Sequence, residues 1–145
     1  MLLAKVRLLV AALWAGSLWA VGYLVAPTLF ATLNDRILAG TIAGSLFHAE
    51  AMLSLGCGVA MGLLLWLATP DWTPRRRRTV LLLIVAMVMC TVVSHFGLQP
   101  MMAELRSTGL ADEAVKNRFG MLHGISSVIF LVQSLLAGWL VWKQA

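Results

Sequence analysis

The chain has little charge and almost no cysteine. Only 12% of its 145 residues are charged, 61% are hydrophobic, and the mean hydropathy is +0.90. That balance excludes a soluble globule of this size, which needs far more polar side chains to cover its core. The two cysteines, Cys57 and Cys90, stand far apart in apolar stretches with no CxxC or zinc-type spacing. They read as small buried hydrophobes, and a disulfide between them is not expected. No phosphate-binding glycine loop, nucleophile–base pair or metalloprotease motif is present, so no catalytic residue is assigned and no enzymatic activity is expected. Internal repeats and low-complexity tracts are also missing.

The few charges fall in blocks. None lies between Arg7 and Asp35, between Arg78 and Glu104, or between Arg118 and Lys143, and Glu50 alone interrupts the stretch from Arg36 to Asp71. Each stretch reaches the ~20 residues that a helix needs to cross a bilayer. The expected fold is all-α: an integral membrane four-helix bundle, one transmembrane domain over residues 1–145, with spans at about 8–33, 37–68, 79–99 and 118–142. Lys5 and Arg7 ahead of an apolar run could open a secretory signal, with Ser17–Ala20 as a loose cleavage site. The run continues to Leu33, beyond a signal core, so an uncleaved first helix is expected.

A net charge of +5 and a pI near 10.0 would suit nucleic acid, but the placement of the charge argues against it. Arg75, Arg76, Arg77 and Arg78 occupy the short loop between spans two and three, and Lys5, Arg7 and Lys143 share that side. Positive charge so placed fixes topology, with both termini cytoplasmic in a multi-pass inner-membrane protein. The arginines can also touch anionic lipid. The bilayer is the expected partner, together with a homo-oligomer or a larger membrane complex, and nucleic acid is not.

Breakers divide the spans. Pro27 should bend or end span one near Ala26, Asn34 or Asp35 should cap span two, the run from Thr69 to Pro74 should end it, and span three should stop at Pro100. Ala111 to Phe119 has helix-forming composition, so span four could begin outside the membrane and bend in at Gly120. Three GxxxG pairs, Gly40 with Gly44, Gly58 with Gly62 and Gly120 with Gly124, place small residues one turn apart, where helix backbones can approach closely. At about 100° per residue, Gly40, Gly44, Ala51, Gly58 and Gly62 form one stripe, the expected packing face of span two.

Several polar side chains interrupt the apolar spans. His48 lies at the edge of the glycine stripe, whereas Glu50, about 200° away from it, falls with Ala43, Phe47, Ser54 and Cys57. Span three aligns Met87, Thr91, His95 and Gln99 on one face, and span four aligns His123, Ser127 and Ser134. His95 and His123 both sit about 7–8 Å in from the outer boundary, and His48 lies in the same half. The three histidines could simply hydrogen-bond their neighbours. They could also converge on a metal or haem, with Met52, Gln99, Met101, Met102 and Met121 nearby, the methionines suiting copper(I). Glu50 could serve a proton or substrate path, with Arg36 or Arg118 at the rim as its partner.

The stretches WAGSLWAVGYLVAPTLFATL, DRILAGTIAGSLFH, SHFGLQPMMAEL and NRFGMLHGISSVIFLVQ resemble the DUF4149 family, a group of small four-span membrane proteins related to the transmembrane-protein-205-like proteins. The likeness extends from about Leu8 to Trp142, through Ala26-Pro27, Phe30, His95, Gln99-Pro100, Arg118-Phe119, Leu122-His123 and Ser126. It implies a four-helix fold in an inner membrane and supplies no activity. Three functions follow as expectations: a non-enzymatic binding, accessory or assembly component without a cofactor; a metal- or haem-binding protein using the outer-half histidines; and an oligomeric carrier or channel subunit with Glu50 as its titrating group.

Overall fold

Hydrocarbon offers a backbone no hydrogen-bond partners, so a chain crossing it must satisfy each N–H and C=O within its own segment. The chain does so with four helices, each long and apolar enough to span a bilayer: α1 (Leu2–Thr32), α2 (Arg36–Leu67), α3 (Pro74–Thr108) and α4 (Glu113–Gln144). This computed structural model describes residues 2–67 and 72–144, and no strand occurs among them. The expected break at Thr69-Pro70-Asp71 lies outside the described residues.

The starts of α2, α3 and α4 are capped by side chains. Asp35 Oδ1 accepts the Ile37 and Leu38 amides at 2.9 and 3.1 Å, as its position before α2 predicts. Thr73 Oγ1 accepts the Arg76 amide at 3.3 Å, with Pro74 in the first turn of α3, where its missing N–H costs nothing. Asp112 Oδ1 accepts the Ala114 amide at 2.9 Å. Between α3 and α4 the chain turns at Gly109, whose φ of 92° is open to glycine and strained for other residues.

Pro27 and Pro100 do not end their helices. A π-helical turn precedes each of them, Ala20–Val25 ahead of Pro27 and Val93–Leu98 ahead of Pro100. The Ala26 amide bonds the Val21 carbonyl and the Gln99 amide bonds the Ser94 carbonyl, five residues back. The widened turn makes room for the proline ring against the preceding carbonyls, so both helices run on. α3 therefore reaches Thr108 and does not stop at Pro100. α4 is α-helical from Glu113 straight through Gly120.

Neighbours in sequence are neighbours in space, and α4 closes the ring against α1. Both chain ends thus lie at one end of the bundle. The core is built from Trp14, Leu18, Met61, Val80, Met87 and Leu140, all fully buried. At the end that holds the chain termini, Arg7 and Arg76 lie on the Trp72 ring, each 4.1 Å from its centroid, and Arg7 Nε donates to Gln144 Oε1. Cation–π contact and the burial of Arg7 fasten α1, α3, α4 and the α2–α3 connection together there.

The glycine stripe lies along the edge of the packing face of α2, with Ala51 and Gly58 buried and Gly40, Gly44 and Gly62 half-buried. The buried residues of that helix are Ala39, Ala43, Glu50, Ala51, Ser54, Cys57, Gly58, Met61 and Leu65. Gly58 alone among the five α2 glycines meets a close neighbour, since a Cβ there would come within 2.5 Å of Val88 Cγ2 and touch Trp14. Gly44, Gly62, Gly120 and Gly124 face open space, and Gly40 only reaches the edge of Phe30. The larger side chains of α1 and α3 set the interhelical distance, so most glycines end up beside the contact. The close approach missed by the GxxxG pattern is Gly22, where a Cβ would overlap the Phe130 ring.

Gly58→Val should therefore destabilise the bundle by about 1–3 kcal/mol through overpacking against Val88. Gly62→Val, one turn away, should stay within about 0.5 kcal/mol of wild type. Thermal unfolding of the purified protein in mild detergent measures both, and equal effects would refute this assignment of the contact face.

Candidate functional site

The π-turn of α3 positions the first candidate. His95 lies within Val93–Leu98, where five-residue spacing rotates side chains away from the regular α-helical phase. His95 Nε2 stands 3.1 Å from Nδ1 of His48 on α2, with ring centroids 4.9 Å apart. One ring must donate and the other accept, so the contact holds one imidazole in a defined tautomer. The Phe96 ring packs edge-on against His95 at 4.9 Å. His48 is exposed on the perimeter and His95 is half-buried.

The remaining members of the predicted cluster are distributed differently. His123 stacks on Phe119 with centroids 6.2 Å apart and planes 5° from parallel, and Arg106 covers the same ring at 5.4 Å. It belongs to a stack between the end of α3 and the start of α4, at the end of the bundle away from the chain termini, and the three histidines do not form one site. Met52, exposed, lies one turn along α2 from His48, and Gln99, half-buried, one turn along α3 from His95. Among the described residues, no three His, Cys, Asp or Glu side chains are grouped to hold a metal. The two facing imidazole nitrogens are nevertheless separated by a distance that two ligands can span on one ion, with metal–nitrogen bonds of about 2.0–2.1 Å.

Glu50 sits inside the bundle rather than toward an outer groove or a rim arginine. It is 7% exposed and accepts the Ser54 hydroxyl on Oε1 at 2.6 Å. Ser54 Oγ in turn accepts the Trp14 indole N–H at 2.7 Å. Arg36 lies fourteen residues from Glu50, about 21 Å along α2, and both it and Arg118 are exposed. Ser54 is one turn from Glu50 on the same helix, which makes it the nearer partner. A second buried pair joins α3 to α4, where Gln133 Nε2 donates to Thr91 Oγ1 at 2.8 Å. A part-buried pair joins α1 to α4, where the Tyr23 hydroxyl donates to Ser134 Oγ at 3.0 Å. Trp14, Ser54, Thr91 and Gln133 are the interior polar residues that a search for ionisable groups passes over. Their signal is spacing: Ser54 lies four residues after Glu50, and Thr91 four before His95.

Fold and polar layout together define a small polytopic membrane protein, a four-helix bundle with a bonded polar interior and a histidine pair on its surface. Within that class the chain belongs to the DUF4149 family, described as a domain of unknown function, whose model matches residues 9–111. The match takes in His48, Glu50 and His95 and stops short of α4, and with it of His123. None of the curated proteins matches the chain, and no solved structure does.

Ser54→Ala leaves the Trp14 indole and the Glu50 carboxyl without their shared partner and is expected to cost about 1–2 kcal/mol. Glu50→Gln retains an oxygen that the Ser54 hydroxyl can reach and should cost less. Denaturation in mild detergent gives the order, and a Glu50→Gln variant less stable than Ser54→Ala would contradict the network.

Proposed function

We propose that this chain is a non-enzymatic binding or accessory component of the inner membrane, with both termini cytoplasmic, that engages its partner through the surface around His48 and His95. The observation carrying this reading is the location of the pair. Polar side chains that serve only the fold are placed inside, as Trp14–Ser54–Glu50 and Thr91–Gln133 are. An imidazole pair on the apolar perimeter is costly in lipid and gains a purpose when another surface covers it. The cluster of arginines from Arg75 to Arg78 beside both chain ends supports the cytoplasmic assignment.

A second reading has an observation of its own. Nδ1 of His48 and Nε2 of His95 face each other at 3.1 Å with the Met52 thioether one turn away, a set suited to copper(I) or to an axial position on haem iron. The carrier or channel reading has less support, because Glu50 is bonded into the interhelix packing and contacts Ser54.

Native membranes solubilised in mild detergent and run on blue native gels test the first reading. The wild-type chain should migrate in an assembly well above its own 15.7 kDa, and the His48→Ala/His95→Ala double variant should fall to the smaller species. Migration unchanged by that double variant would reject it. Elemental analysis and an absorption spectrum of the same purified protein decide the second: one metal per chain, lost in His48→Ala or His95→Ala and kept in His123→Ala, would establish it, and a colourless metal-free sample would end it.

A further inference from the structure

At the end of the bundle that holds both chain termini, a cleft of about 470 Å³ opens between the start of α3 and the end of α4, lined by Thr73, Arg75, Arg76, Thr79, Trp142 and Lys143. We propose that this cleft binds a phosphate-bearing group, the headgroup of an anionic lipid. Three of its six lining side chains are cationic, and no acidic side chain is among them. One wall is already fixed: the Arg76 guanidinium donates to the Lys143 carbonyl at 2.7 Å and stacks on Trp72. The Thr79 hydroxyl donates to the Arg75 carbonyl at 3.0 Å and holds the first turn of α3. Arg75 and Lys143 flank that wall with no side-chain partner among the described residues, so their donors are available to an incoming anion.

Size and position both favour a lipid over a free ion. The volume falls in the range of small-molecule sites and exceeds what one phosphate fills. The cleft lies where the apolar spans end, at the depth of headgroups, with Trp142 exposed beside it and Leu82 exposed about one turn further along α3. An indole at that depth and a leucine just inside it suit the boundary between headgroup and acyl chain. Guanidinium groups bind phosphate oxygens through paired N–H donors, and an ammonium supplies a point charge beside them. The charge pattern separates this site from general attraction to a negative membrane: Arg77 and Arg78 are equally basic and do not line the cleft.

The test is native mass spectrometry of the full-length protein in mild detergent, titrated with phosphatidylglycerol, with phosphatidylcholine or with inorganic phosphate. Wild type should take up one phosphatidylglycerol at lower lipid concentration than phosphatidylcholine. Arg75→Ala/Lys143→Ala should weaken that binding at least about tenfold, as expected for two cationic contacts at a headgroup. Arg77→Ala/Arg78→Ala, which removes the same charge outside the cleft, should bind as wild type does, and Arg75→Lys should retain most of the binding. A circular dichroism spectrum confirms that each variant keeps its helices. Displacement of the bound lipid by millimolar inorganic phosphate would assign the cleft to the free ion, still through its phosphate chemistry, and resistance to it would assign the lipid. Equal uptake of the two lipids with no phosphate binding, or equal losses in the two double variants, would overturn the proposal.

Discussion

The constraint on which this structure rests is that a polar group in hydrocarbon must bring its own partner. The backbone meets it by remaining helical over nearly the whole described chain, through two prolines that would break a soluble helix. The side chains meet it in pairs that cross between helices: Trp14 with Ser54, Thr91 with Gln133, Tyr23 with Ser134. No described buried side-chain nitrogen or oxygen is left without a hydrogen bond. Each pair is worth only about 0.6–2 kcal/mol in a membrane. Their larger effect is on register, since a helix that slides or rotates must break a bond that lipid cannot replace.

The same constraint links the backbone to the candidate site. A proline in mid-span deletes one donor and pushes against the preceding turn, and the chain absorbs this with a π-turn rather than an end. A π-turn changes the direction of the side chains within it. In α1 it places Gly22 against the Phe130 ring and Tyr23 toward Ser134. In α3 it places His95 against His48. Phe130 then joins three helices, edge-on to Tyr23 on one side and to Phe47 on the other. The half of the bundle away from the chain termini is therefore organised around two turns ahead of prolines, and the histidine pair is one of their products.

This explains which parts of the molecule were legible in the sequence. The four spans and the Asp35 cap follow from charge-free length and from local capping chemistry, which need no knowledge of neighbours. The grouping of Glu50 with Ala43, Ser54 and Cys57 was also readable, because it depends only on helical phase. What phase cannot say is which stripe faces the bundle. The glycines suggested one answer, and the buried surface is centred to one side of it and takes in only Ala51 and Gly58 of that stripe, because Trp14, Met61 and Met87 fill the space between the helices and hold the backbones too far apart for most glycines to touch. The convergence of three histidines assumed regular α-helical phase past His95. The π-turn breaks that phase just there, bringing His95 to His48, while His123 stacks with Phe119 at the rim. Proline signals a disturbed turn in sequence, but the direction in which the turn re-aims its side chains depends on the packing around it.

Taken by location, three groups of polar residues obey different physics. Those in the interior are neutral hydroxyl, amide and indole groups around one carboxyl, bonded to each other and so spent on the fold. Those at the end bearing both termini are cationic and stand over an aromatic ring and an open cleft, where water and headgroups share the work of solvation. The histidine pair fits neither group. It is too exposed to stabilise the core as the buried pairs do, and it lies on a helix face where lipid gives nothing in return for an imidazole. A mutual hydrogen bond engages one nitrogen of each ring, and the proposed covering surface would meet the other. That remaining demand is what distinguishes His48 and His95 from Glu50: the carboxyl is the more costly group to bury, yet the fold has already answered it.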